Sequence, residues 1–483
     1  MLIYAFILLS LLTEVAALNV PRYLRRILAG AALLLYFVAL GLALSSSEYL
    51  LAFLLSLIGI FRFVNAMRLS ESIMHERELR TRGMQTLIGC TAAVSIALSV
   101  QLLNFDALVN VTLIMSLLIS VGLFLSVVIS VIKYRYKSSG LLSDAPSVSV
   151  CIPARNETQD LPDCIESVLA QKYHKLEIIV LDDCSHDKTP ELLKKYAHDG
   201  VRFVRGREPE DKWLAKNAAY DTLLDEASGE ILLFMGVDVR LQPDSVEKLV
   251  ASLGDNSMLS ALPQRAKSAT NSLFVQPLRY WWELGLWRFI SSRPPVLSSC
   301  WAARRRFLVS SGGFSAFKRT IKPETQFARR AQKADGYNFL IANNELGVES
   351  IKHPQDQLDT ALRIRYPQLG RRPELALLLI VVLFIAAIAP LMLLIAGFAS
   401  GNMFIMVISA ISIVILACAN ALLVKSTLRT LWLLQLFTFP ALAFIDSYIA
   451  LRSMFAYERG NVVWKDRNIC LPMLKVEKSL PKH

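Results

Sequence analysis

Residues 147–187 read SVSVCIPARNETQDLPDCIESVLAQKYHKLEIIVLDDCSHD, and two short apolar runs within them frame the rest of the chain. The first, SVSVCI (147–152), is β-branched and short; the second, LEIIVL (176–181), is a continuous apolar run of strand length. Between them Leu161, Ile165, Val168 and Leu169 recur at helical spacing. Strand, helix and strand, with the strands near-continuously apolar, is the signature of a parallel-type α/β sheet covered on both faces. The alternation continues with a helix around Leu192 and Leu193, a short strand at 201–204, a helix at 216–226 and a buried strand, EILLFM, at 230–235. Pro243 is expected to open a further helix. Ligands of such sheets bind outside the carboxyl ends of the strands, and polar residues collect there. Pro153-Ala154-Arg155-Asn156-Glu157 follow the first strand, Asp182-Asp183-Cys184-Ser185-His186-Asp187 the second, and Gly236-Val237-Asp238-Val239-Arg240 the run at 230–235.

Outward from this middle the composition changes. Hydrophobic residues make up 54% of the 483, and the excess lies in runs near the ~20 residues that cross a bilayer. Five runs precede the globular part, at 2–18, 27–44, 49–65, 84–103 and 108–132; three follow it, at 375–398, 403–424 and 431–451. Arg22, Arg25 and Arg26 follow the first run, Arg68, Arg80 and Arg82 the third, and Lys133, Arg135 and Lys137 the fifth, whereas the other two loops carry no Lys or Arg. That alternation places the N-terminus outside and the globular domain in the cytosol. The expected organisation is transmembrane helices over 1–137, the globular domain over 138–372, transmembrane or re-entrant helices over 373–452 and a basic tail over 453–483. The tail conflicts with three full spans, and Pro440 and Asp446 suggest that the last run is broken. The net charge of +12 follows from the same loop rule and suits an anionic membrane surface; nucleic acid is not an expected partner. Seven cysteines without metal-ligand spacing read as reduced structural residues.

The strand-end elements, with Lys212-Trp213-Leu214-Ala215-Lys216-Asn217 between them, resemble the family-2 glycosyltransferases of GT-A fold. Relatives carry a PxxNE turn, a DDxSxD element, a W-x-x-K segment and a DxD-like turn in this order. The resemblance implies a GT-A, Rossmann-like domain set between two groups of membrane helices. It implies that Pro153, Arg155, Asn156, Glu157, Asp182, Asp183 and Lys216 bind a nucleotide-sugar donor, and that Asp238 holds a divalent ion, Mn2+ or Mg2+. Gly236 stands where relatives usually have the first Asp of that turn. The plain alternative for Asp182 and Asp183 is a polar strand-end turn, and for Lys216 a solvated helix charge. Further on, Trp301, Arg306 and Gly312-Gly313-Phe314 resemble the segment ahead of the family's catalytic carboxylate. Aligning Phe327-Ala328-Arg329-Arg330 with that pattern puts Glu324 at the base position and Pro323 where an acidic neighbour is usual. Without that role, Glu324 is simply an acidic residue favoured at a helix start.

On the acceptor side, Arg363, Arg365 and Tyr366 stand near the place of the Q-x-x-R-W motif of polymerising relatives, without its Gln and Trp. Val462-Val463-Trp464-Lys465-Asp466-Arg467 is similar to the C-terminal W-[KR]-x-R of ceramide- and carotenoid-type enzymes, so Arg365, Tyr366, Trp464 and Arg467 are expected on the acceptor side. The aromatic segment 274–290 reads either as an interfacial helix or as a core helix. The resemblance implies an inverting hexosyltransferase that moves a sugar from a UDP-linked donor to a membrane lipid, integral to a bacterial inner membrane. The rivals are a processive polysaccharide synthase and a catalytically inactive nucleotide-sugar-binding membrane protein. The loop charges generate a first test. A cysteine introduced at His198 is expected to resist a membrane-impermeant maleimide in intact cells and to react after permeabilisation; labelling from outside reverses the topology.

Overall fold

The computed structural model describes residues 2–71, 76–101, 105–138, 145–210, 213–266, 275–285, 294–428 and 432–470. Lys212, Arg288, both ends of the aromatic segment, the end of the run at 84–103 and the tail beyond 470 lie outside the described residues. The chain divides into two compact units. One comprises Met1–Ser120, Asp359–Ile413 and Ala443–His483; the other comprises Val121–Leu358 and Val414–Leu442.

Among the described residues, seven helices are long and apolar enough to cross a membrane: Leu2–Asn19, Tyr23–Ser45, Tyr49–Ser70, Asp106–Tyr134, Pro373–Ser400, Met403–Thr427 and Phe439–Glu458. The run expected at 84–103 lies within the helix Glu76–Gln101 as far as Gln101. The last run is interrupted, as Pro440 suggests: a short 3-10 turn spans Leu434–Leu436 and the helix Phe439–Glu458 begins only after it. Pro440 occupies the first turn of that helix, where its missing N–H has no intrahelical partner to lose.

In the first unit, close approach and buried charge hold the helices together. A Cβ added to Gly89 would stand 2.5 Å from Glu374 Cβ, so the helix Glu76–Gln101 meets the helix Pro373–Leu383 at a point that admits no side chain. Glu14 accepts hydrogen bonds from Arg62 Nη2 at 2.6 Å and Asn65 Nδ2 at 2.5 Å. Arg365 pairs with Asp446 at 2.6 Å. Arg68 donates through Nε to Glu458 at 2.9 Å and through Nη2 to Arg371 O at 3.0 Å, while the Tyr366 hydroxyl donates to Glu458 Oε1 at 2.7 Å. Ionisable side chains among membrane helices are tolerated when they are paired in this way.

The second unit is built on a seven-stranded sheet in the order β3-β2-β1-β4-β8-β6-β9. Its strands are β1 (Val148–Ala154), β2 (Leu176–Asp182), β3 (Val201–Arg205), β4 (Ile231–Met235), β6 (Met258–Leu262), β8 (Cys300–Arg304) and β9 (Tyr337–Ile341). A small sheet joins β5 (Val239–Leu241), β10 (Val348–Ser350) and β7 (Gln264–Arg265). Alternate residues serve opposite cores: Val148, Val150 and Ile152 face one cluster, Cys151, Ile179 and Leu181 the other. The expected α/β sheet with two covered faces is present, but it is mixed rather than all parallel. β1 to β4 are mutually parallel, whereas β8 runs antiparallel to both β4 and β6. Between β7 and β8 the chain passes through the helix Val275–Tyr280 and the turn Trp281–Gly285, and β8 enters the sheet from the opposite end. Its first residues therefore lie at the edge where β1, β2 and β4 finish. The helix opened by Pro243 begins two residues later, at Ser245.

The described part of the aromatic segment is buried. Trp281 donates to Asn420 Oδ1 at 2.8 Å and meets the Phe439 ring at 5.0 Å. Ser126 and Ser130 each donate at 2.9 Å, to Gly285 O and Leu284 O.

The Arg68 network generates a stability prediction. Glu458→Ala leaves a buried guanidinium without its carboxylate, a loss of about 3–5 kcal/mol for a buried pair. Thermal inactivation in detergent is expected to occur several degrees lower in the variant, and an unchanged melting profile refutes the assignment.

Candidate active site

The first wall of the site is laced from two strand ends. Asn156 and Cys184, just beyond β1 and β2, both have left-handed backbone, at φ 51 and 54. Asn adopts that conformation readily; Cys does so at a cost. The surroundings hold it. Asp183 N–H donates to Ala154 O at 2.8 Å, Asn156 N–H to Ser185 Oγ at 3.0 Å, His186 N–H to Asn156 Oδ1 at 2.9 Å and Ser185 N–H to Asp182 Oδ1 at 3.2 Å. Glu157 N–H donates to Thr189 Oγ1 at 3.0 Å. Arg155 is buried and donates to the carbonyls of Asp183 and Cys184 at 2.6 and 2.8 Å. Arg155, Asn156 and Asp182 thus shape the turns, and Pro153 lies within β1 opposite Leu181. Burial tends to raise the Asp187 carboxyl, but hydrogen bonds from Thr158 and Thr189 outweigh it and hold the group below its ordinary value.

The second wall is the turn after β4. A Cβ on Gly236 would stand 2.6 Å from Asp238 Oδ1: the Asp238 carboxylate folds back over the position where relatives carry another acid. Asp238 Oδ2 accepts from the Ser350 hydroxyl at 3.4 Å and its main-chain carbonyl accepts from Ile351 N–H at 2.9 Å. Gly236 N–H donates to Ser299 O at 2.9 Å, and Arg279 Nη2 donates to Ser299 Oγ at 2.9 Å. Arg265 is also close. Burial pulls its guanidinium below the ordinary value, Tyr280 and Asp238 oppose that, and Arg279 adds to it. Among the described residues no three His, Cys, Asp or Glu side chains converge as a metal site. With one carboxylate on offer, the residues present fit a divalent ion that takes most of its oxygens from a bound diphosphate.

The third element is Glu324. The helix Pro323–Lys333 starts with a proline in its first turn, and Glu324 follows, where an acidic group complements the helix N-terminus. Glu324 is fully buried. One of its oxygens accepts the Ser298 hydroxyl; Oε2 makes no hydrogen bond among the described residues but lies 3.9 Å from Lys216 Nζ. Lys216 itself sits over the Tyr220 ring at 5.1 Å. Burial pushes the Tyr220 hydroxyl well above its ordinary value, and the Glu324 charge adds to this. Asn217 locks the Lys216 helix to the neighbouring loop by donating to the carbonyls of Phe317, Lys318 and Thr320 at 2.9, 3.1 and 2.9 Å. Beneath lie Phe314, Trp301 and Phe327, with Trp301 and Phe327 stacked at 6.3 Å.

Lys216 and Glu324, a hundred residues apart in the chain, are thus brought together, as are the turns that hold Asp183 and Asp238. The four residues expected on the acceptor side belong to the other unit. Arg365 and Tyr366 are tied into its buried ion pairs. Trp464 and Arg467 face each other across a two-residue hairpin whose centre, Lys465 and Asp466, has φ of 47 and 65, a type I′ turn. The Arg363 guanidinium lies 5.2 Å from the Trp464 ring centre. Sequence reasoning missed Ser298, Ser299, Asn217, Arg265 and Ser350. None stands in a distinctive spacing, although Asn217 falls inside the Trp213–Lys216 neighbourhood.

Residues 149–313 match the family model described as glycosyl transferase family 2. The chain is 30% identical over 117 residues to glycosyltransferase AglE of Haloferax volcanii, covering 23% of this chain and 37% of that protein. It is 35% identical over 107 residues to the 4,4'-diaponeurosporenoate glycosyltransferase of Staphylococcus haemolyticus, covering 22% and 28%. Both matches span well under half of the relative's own length. Among solved structures, the mannosyltransferase PcManGT from Pyrobaculum calidifontis, in complex with GDP-Man and Mn2+, aligns with a TM-score of 0.42 at 17% identity, over 71% of this chain and 97% of that one.

Proposed function

We propose, on the premise that residues 149–313 form a glycosyl transferase family 2 domain, that the chain transfers a sugar from a nucleotide diphosphate to a membrane lipid, with inversion. The observation that carries this reading is Glu324: a fully buried carboxylate with an oxygen that makes no hydrogen bond among the described residues, beside Lys216. In this reading the carboxylates at the ends of β1 and β2, Glu157, Asp182 and Asp183, meet the base and ribose of a UDP-linked donor. Lys216 attracts its phosphates. Asp238 would hold a Mn2+ or Mg2+ ion, which when bound offsets the charge of the leaving diphosphate. Glu324 takes the proton of the acceptor hydroxyl as that oxygen attacks the anomeric carbon. The nonpolar acceptor reaches the site from the bilayer of a bacterial inner membrane, with the catalytic domain in the cytosol.

A second acceptor class is favoured by one observation. Arg265 interacts with both Asp238 and Arg279, and Arg279 reaches Ser299, whose carbonyl holds Gly236 of the Asp238 turn; two guanidinium groups together suit a phosphate. A lipid phosphate is already an anion and needs no base.

Two outcomes are expected. Asp183→Ala abolishes UDP binding and Asp238→Ala removes its dependence on manganese, both read by calorimetry; unchanged affinity in both variants moves the donor site elsewhere. Glu324→Gln retains UDP binding and loses about 10²–10⁴-fold in transfer if the acceptor is a hydroxyl. Radiolabel passed from a panel of UDP-sugars to extracted lipid measures the rate. Near wild-type transfer by Glu324→Gln removes the base and selects the lipid phosphate.

A further inference from the structure

We propose that Glu283 and Lys322 are a positioning pair for the Glu324 carboxylate, an inference that rests on Glu324 being the group that takes the acceptor proton. Glu283 stands in the buried turn Trp281–Gly285, and Lys322 immediately precedes Pro323. Their ion pair measures 2.9 Å, with side chains only 7% and 16% exposed. It grips the main chain of Val296 from both sides. Lys322 Nζ donates to Val296 O at 3.0 Å, and Val296 N–H donates to Glu283 Oε2 at 3.4 Å. Two residues after Val296, Ser298 donates its hydroxyl to Glu324; two residues after Lys322 stands Glu324 itself. Both members of the Ser298–Glu324 hydrogen bond are therefore short tethers from atoms that the ion pair holds.

The neighbouring contacts fit this assignment. Leu297 N–H donates to Ser260 Oγ at 3.0 Å, and the Tyr337 hydroxyl donates to Pro295 O. Burial raises that hydroxyl well above its ordinary value, and Glu283 and Glu324 both add to the effect. A buried ion pair contributes little net stability, because desolvating two charges offsets most of their attraction. What it supplies is direction: a lysine and a carboxylate fix a main-chain segment through both its N–H and its C=O. A reacting atom displaced by about 1 Å can cost on the order of 10²-fold in rate, which is the scale at which such a pair acts. The Trp281–Gly285 turn is held at both ends, by Asn420 at Trp281 and by Ser126 and Ser130 at Gly285 and Leu284. The base is thereby tied, through Glu283, to side chains on two of the long apolar helices.

The test uses the full chain in nanodiscs of bacterial polar lipid, tritiated UDP-sugars as donors, label in extracted lipid as the rate, and amide hydrogen exchange on the same samples. Glu283→Gln and Lys322→Met are expected to lower kcat by roughly 10–100-fold while leaving the donor KM within about twofold of wild type. Lys322→Arg recovers most of the loss. Exchange rises at 294–300 and stays unchanged at 148–185. A kcat within about twofold of wild type, or a loss of UDP affinity in parallel with kcat, overturns the positioning role. If wild-type protein labels no lipid with any donor, the proposed function falls, and exchange alone decides the pair. Faster exchange at 294–300 in both variants then upholds the clamp, and unchanged exchange overturns it.

Discussion

The hydrogen bond from Gly236 N–H to Ser299 O carries the antiparallel ladder of β4 and β8 one step past their last registered pair, Met235 opposite Cys300. Because β8 runs against β4, the residues that lead into it arrive at the edge where the parallel strands end. Ser298 then reaches Glu324 and Ser299 reaches Arg279, while Gly236 itself is held under the Asp238 carboxylate. Had β8 been parallel, its first residues would lie at the far edge of the sheet, and Glu324 and Asp238 would have no common support. The strand also brings Trp301 against Phe234 and Phe327, so the same register that sets the polar edge fills the core behind it.

Charge is handled differently in the two units. Among the membrane helices the carboxylates Glu14, Asp446 and Glu458 each meet an arginine within the helix bundle. Pairing lowers the cost of keeping an ionised group away from water, and it fixes which helices neighbour one another. In the sheet unit Glu324 is equally buried, but its cation is a lysine at 3.9 Å and one oxygen makes no hydrogen bond among the described residues. A buried carboxylate left in that state costs stability, and such sites are where chemistry is commonly found.

Much of this was legible along the chain, for reasons that differ by element. The runs 147–152 and 176–181 are apolar because both faces of their strands are covered, and the polar residues that follow them mark the strand ends directly. Glu324 was legible through the resemblance of its helix start, and Pro323, which departs from the usual pattern, takes the first helical turn. The antiparallel β8 was not legible, since a five-residue apolar strand has the same sequence in either direction. Nor were Ser298, Ser299 and Glu283, whose roles depend on where β8 enters. The motif Trp464-Lys465-Asp466-Arg467 was read as a binding signature; in the structure it is also a tight hairpin whose two central residues adopt left-handed backbone.

The serines at 126 and 130 have a practical meaning for dissecting the protein. The carbonyls of Leu284 and Gly285 accept these two hydroxyls. A recombinant fragment begun at the first strand, however natural that boundary looks, would remove the Ser126 and Ser130 hydroxyls from these carbonyls, and one that also stopped short of 414 would take Asn420 from the Trp281 indole, at about 1–3 kcal/mol for each buried group left unsatisfied. A secretable, detergent-free version of the sheet unit would therefore need new polar side chains grafted around that turn, or the segments 121–137 and 414–442 retained as part of the same unit.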